Sequence, residues 1–150
     1  MTYRDISSVK DKIAERLNSI NVANGYPITA GCFDADRITP DYIARVQAQY
    51  QYIAMFKHMN TQFDHEILDQ TVLAIDNWLI VLIVDRPPDS DAIDVFADCV
   101  YHVFMKEKTL DGLVTLLRVE SVNKVDAYFD IEGVDQASIE LVTERILDPV

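Results

Sequence analysis

The sequence predicts an α+β domain: a single mostly antiparallel or mixed β-sheet, packed by an N-terminal helix and a central amphipathic helix. Three observations lead there. Ile6, Val9, Ile13, Leu17 and Ile20 recur at steps of three and four, which places them on one helical face. Trp78 to Val84 is an unbroken apolar run of strand length, ended by Pro87 and Pro88. Apolar residues then return at helical spacing, and the segments after them go back to strand-like patterns, so helices and strands do not alternate regularly.

The first helix opens with Thr2 and Asp5 at capping-box-like spacing, and Asn24-Gly25 is its expected stop. Residues 25–41 hold two glycines, two prolines and several acids, and read as a loop with a short strand at Cys32–Phe33. Thr39-Pro40-Asp41 has the grammar of a helix start. Ile43, Val46 and Tyr50 fit a helix, but Val46, Ala48, Tyr50, Tyr52, Ala54 and Phe56 alternate strictly, which favours a strand. The expectation is at most a short helical turn from Thr39, then a strand over about 48–59. Asn60–Gln70 is polar and reads as a long exposed hairpin loop. Residues 71–84 form one long strand with a bend at Asp76-Asn77. Asp89 or Ser90 caps the central helix, whose stripe is Ile93, Phe96, Ala97, Val100, Tyr101 and Phe104. Lys106 and Lys108 lie at its negative end. Segment 113–122 reads as a strand, 126–134 as strand-like, and 137–147 as a strand or a short helix.

At 150 residues the chain, 1–150, is expected to be one domain. A domain of this size buries roughly 68–70% of its unfolded surface, enough to fold without staples. Thirteen basic residues face 25 acidic ones, a net charge of −12. Such a surface repels phosphate, which argues against nucleic-acid binding through basic patches and against docking on anionic lipid. Two cysteines, Cys32 and Cys99, suit a reducing compartment rather than a disulfide framework. The N-terminal stretch has no apolar signal region, and the longest pure apolar run is far short of a membrane span. These features place the protein in the cytosol.

Catalytic grammar is sparse. "HEILD", His65–Asp69, has the first half of the zinc-protease signature but Asp69 where the second histidine belongs. No Ser or Cys sits in a nucleophile elbow, and the four glycines are scattered, so no phosphate-cradling loop is present. Cys99 lies one residue from the helix stripe and reads as a small buried hydrophobe. The expectation is a protein that is not an enzyme and has neither metal nor cofactor. The loop Asn60–Gln70 is longer than two paired strands require, and such loops are often functional. Thr61, Gln62, Phe63, Asp64, His65 and Glu66 lie in it and are the candidate contact residues, with a solvated loop without a partner equally open on the sequence alone.

The stretches "YRDISSVKDKIAERL", "CFDADRITP", "YIAMFK" and "NWLIVLIVDRPPDSDAIDVFADCVYHVFM" follow one another as do the elements of a known family. In element order, and in a strand that leads through "PDS" into an amphipathic helix, the chain resembles the lambda-type phage tail-terminator family, also called minor tail protein U. The resemblance implies a homo-hexameric ring that caps the tail tube, stops its growth and presents the head-joining surface. It implies the tail tube protein and the head–tail connector, or neck, protein as partners. It also implies genomic DNA passing through the lumen without specific binding, no membrane, and a place in the virion after assembly in the host cytoplasm. A head–tail connector or tube component of the same particle is the nearest alternative. A small acidic cytosolic enzyme or ligand-binding domain, with a pocket under the 25–41 loop, is the alternative of a different class.

Overall fold

The computed structural model describes residues 5–34, 40–65, 72–125 and 132–147. Within them lies one mixed sheet of five strands with helices on both faces, the α+β architecture expected. The strands are β1 (Ala30–Asp34), β2 (Tyr52–Asp64), β3 (Val72–Asp85), β4 (Leu116–Val125) and β5 (Val134–Leu147), in the order β1-β2-β3-β5-β4. Only β1 and β2 pair in parallel; the other ladders are antiparallel. The helices are α1 (Ile6–Asn18), α2 (Pro40–Gln47) and α3 (Ala92–Met105).

The main core lies on the face covered by α1 and α3. Val9, Ile13 and Leu17 of α1 and Ile93, Phe96, Val100 and Phe104 of α3 meet Ala54, Phe56, Ile80, Leu82, Ile139 and Leu141 of the sheet. Each such side chain contributes about 1.5–3 kcal/mol before entropy is subtracted. The second face carries a smaller core, in which Val46 of α2, with Tyr42 and Tyr50, covers Ile53, Met55, Val81 and Ile83. This cover reaches only the end of the sheet where β3 finishes.

Several expectations are corrected. The helix α1 stops at Asn18, because the Ser19 hydroxyl donates to the Arg16 carbonyl and a separate 3-10 turn, Val22–Asn24, follows. Gly25, at φ +90°, closes that turn and not the helix. Asp5 is itself the N-cap and accepts from the Ser8 N–H at 2.6 Å; Thr2 lies outside the described residues, as do Thr39 and the rest of 35–39. The short strand at Cys32–Phe33 exists and is five residues long. Of the alternation from Val46, only Val46 lies in α2, while Tyr52, Ala54 and Phe56 alternate within β2 as expected; Tyr42, Val46 and Tyr50 stand at i, i+4, i+8, a spacing that satisfies both periods. Ala48 and Gln49 turn the chain, and β2 begins only at Tyr52.

At its far end β2 runs to Asp64, so Asn60 to Asp64 are strand and not loop. Asn77 Nδ2 donates to Asn60 Oδ1 at 2.7 Å across the ladder, which keeps polar side chains compatible with the strand. β3 is continuous through Asp76-Asn77; the irregularity lies opposite, where Met59 is an extra residue between the paired His58 and Asn60. The cap of α3 is Asp91, without a side-chain hydrogen bond, and Asp89 instead accepts from the Asp91 N–H. Tyr101 is 49% exposed, and Val103 and Cys99 complete the buried stripe in its place. β4 starts three residues later than expected. Of the segment 126–134, residues 126–131 lie outside the described residues, 132–133 are a turn, and Val134 begins β5. Residues 137–147 are strand and not helix.

Candidate interaction surface

The outer half of the β2–β3 hairpin is held by a polar cluster that no local pattern announces. Asp76 is fully buried on β3, and Arg145 of β5 grips it with Nε at 2.6 Å and Nη2 at 3.1 Å. Thr61 Oγ1 donates to Asp76 Oδ1 at 2.6 Å, and His58 Nε2 lies 2.8 Å from the same hydroxyl. One layer over, Trp78 Nε1 donates to Thr143 Oγ1 at 3.0 Å. A threonine hydroxyl has one proton, and here it goes to the carboxylate, so His58 must be the donor through Nε2–H. Thr61 is therefore neither deprotonated by His58 nor free to attack. The cluster's chemistry is cohesion: it ties β2, β3 and β5 together where the apolar core thins.

The predicted contact residues divide accordingly. Thr61 is half-buried and committed to Asp76. Gln62 is exposed, Phe63 is 56% exposed, and Asp64 is half-buried at the end of β2. His65 is exposed, one residue past the strand; Glu66 lies outside the described residues. Among the described residues no three His, Cys, Asp or Glu side chains come together to hold a metal ion.

Sequence reasoning missed a groove. Beyond the reach of α2, the second face of the sheet is open over about 530 Å³. Ile75, Leu79 and Val142 form its floor, and Met59, Gln62, Glu120 and Glu140 stand at its margins. Arg118 crosses it, donating to Glu144 at 2.8 Å and to Glu120, and these two carboxylates hold its pKa above the ordinary arginine value. The alternation of β4 and β5 carried the signal, but which of their faces stays open depends on where α2 lies.

A second hollow, of about 340 Å³, lies where Gly25–Pro27, the start of the 25–41 loop under which a pocket was expected, meets α3. Tyr26 Oη is 2.9 Å from His102 Nδ1, with the rings edge-on at 5.6 Å. Cys99 borders it, its thiol pKa raised by burial, which makes it a poor nucleophile.

No helix among the described residues is long and apolar enough to cross a membrane. No family model matches the chain, and no match is found among curated proteins.

Proposed function

We propose that this chain is a structural protein that assembles into a homo-hexameric ring on the end of a phage tail tube. There it ends tube growth and offers the surface to which the head is joined. One observation carries the reading: part of one sheet face is left uncovered, apolar on its floor and charged at its margins, with exposed Met59 at its edge. Such a face suits burial against protein, as the core of an interface does. The resemblance in element order points the same way. So does the charge of −12, since a lumen through which DNA slides without specific binding should repel it. On this reading the partners are other copies of the chain, the tail tube protein and the head–tail connector. No membrane or cofactor is involved, and the protein resides at the head-proximal end of the tail in the virion.

Negative-stain images and native mass spectrometry of the purified chain are expected to show annuli and a hexameric mass. In the particle that carries it, loss of the protein is expected to leave tails overlong and unjoined. Tails of normal length that stay unjoined would reassign it to the neck. A 17.1 kDa monomer with no effect on tails would end the proposal.

A second reading, a small ligand-binding domain, draws on the Tyr26–His102 hollow. It predicts that ligands protecting the chain against thermal unfolding lose their effect in His102→Ala.

A further inference from the structure

We propose that the open groove receives the α2 corner of another copy of this chain, setting Glu120 and Glu140 of one copy against Arg45 and Arg86 of the next. The inference rests on the ring reading above. At −12, two copies approach against net repulsion, so a lasting contact has to set the cations of one on the acids of the other. The groove supplies the acids. Glu120 and Glu144 share Arg118, and Glu140 stands exposed on the same face as a further carboxylate lining the groove.

Half-buried Lys57 of β2 lies on this face opposite Leu79, and the exposed cations are at its other end. Arg45 is exposed on α2 and lies over the Tyr42 ring, 6.0 Å from its centroid. Arg86 has a side chain 82% exposed, and its nearest carboxylate, Asp85, is 3.4 Å from Nε. Its backbone is nonetheless fixed: its N–H donates to the Gly133 carbonyl at 3.0 Å, and its own carbonyl accepts from Gln51 Nε2 at 3.1 Å. A left-handed φ of +48° turns the chain at that point. A charged side chain on an anchored backbone loses less entropy on docking than one on a free loop. Lys106 and Lys108, also exposed, flank Glu107 on the helix side of the sheet and do not share this face.

From Leu79 in the groove to Arg86 is seven residues of chain, roughly 23 Å at about 3.3 Å per residue. The two patches are therefore distinct and separated. A contact made in one direction, from each copy to the next, closes into a ring when the rotation per copy divides a full turn, whereas the same patches paired reciprocally would give a two-fold dimer.

The test uses the full chain in two variants, Glu120→Lys with Glu140→Lys, and Arg45→Glu with Arg86→Glu, each checked for folding by circular dichroism. Alone, each is expected to sediment as the 17.1 kDa monomer. Mixed in equal amounts they are expected to form rings again with the variants alternating, because each reversed groove then meets a reversed corner and each native groove a native one. If a reversal prevents folding, Glu120→Gln with Glu140→Gln replaces it, expected to weaken assembly by about tenfold or more. Rings formed by either reversal variant alone, or no rings from the mixture, would overturn the assignment of this surface. A parent chain that forms no rings would instead overturn the ring reading itself.

Discussion

Asp76 shows how much of the molecule is decided by single side chains. In the sequence it marks only a polar break in an apolar run; its partner Arg145 is 69 positions away, and no local pattern connects them. Removing one member of a buried pair leaves the other charge uncompensated, at a cost of about 3–5 kcal/mol. Arg145→Met is therefore expected to lower stability by that amount, and Thr61→Val by about 1–2 kcal/mol, in urea melts followed by the fluorescence of Trp78. Gly31 is a second case. A Cβ there would lie 2.7 Å from the Tyr50 ring, so Gly31→Ala should cost about 1–3 kcal/mol, and less when combined with Tyr50→Ala. Glu107 is a third. The Thr109 hydroxyl, the Asp111 and Thr109 N–H groups and Arg16 hold its carboxyl at about 2, below the ordinary 4.5. A carboxyl held low stabilises the fold above its ordinary value, and that contribution is lost as pH falls from 4.5 towards 2. Parent and Glu107→Gln should differ in urea midpoint at neutral pH and converge across that window.

At the scale of elements, the sequence was most legible where period and punctuation agreed. The stripe of α1, the run of β3 and the proline-bounded start of α3 each had one pattern, although α1 ends at Asn18, ahead of its expected Asn24-Gly25 stop. It was least legible at residues 40–64. There Tyr42, Val46 and Tyr50 fit two periods at once, and polar residues 60–64 looked like loop while lying in a strand. Propensity could not settle either case, since packing over Gly31 and pairing with β3 did. The candidate contact residues fell on this stretch, which is why Thr61 proved to be internal scaffolding while Gln62 and Phe63 face outward. Caps separate in the same way. Asp5 accepts a backbone N–H and Asp91 does not, so Asp5→Ala should cost about 0.5–2 kcal/mol and Asp91→Ala much less, measured by thermal unfolding of each variant.

For the whole molecule, the open groove was not legible, because it is defined by what α2 fails to cover. The assembly roles proposed for it and for the segment between β2 and β3 can be tested apart. Replacing residues 66–71 with a Gly-Ser link leaves Thr61, Asp76 and the groove intact. On the proposed reading the variant folds, still forms rings, and leaves tails overlong or unjoined; tails completed as by the parent would remove the loop from the contact surface.

The strand order has a consequence in time. Chains emerge from the ribosome N-terminus first, and domains of this kind fold as units. β5 is the last of the described strands to be made yet lies between β3 and β4, and it is the only described strand that pairs with β4. A nascent chain that has reached Gly133 holds β3 with one side unpaired and β4 with no neighbour, a long apolar edge of the sort that recruits other chains. Synthesis of Val134 to Leu147 converts that liability into the middle of a sheet. Until then the groove has no Glu140 and no Val142, so on the proposed reading an unfinished copy carries the α2 corner but no groove to receive the next one.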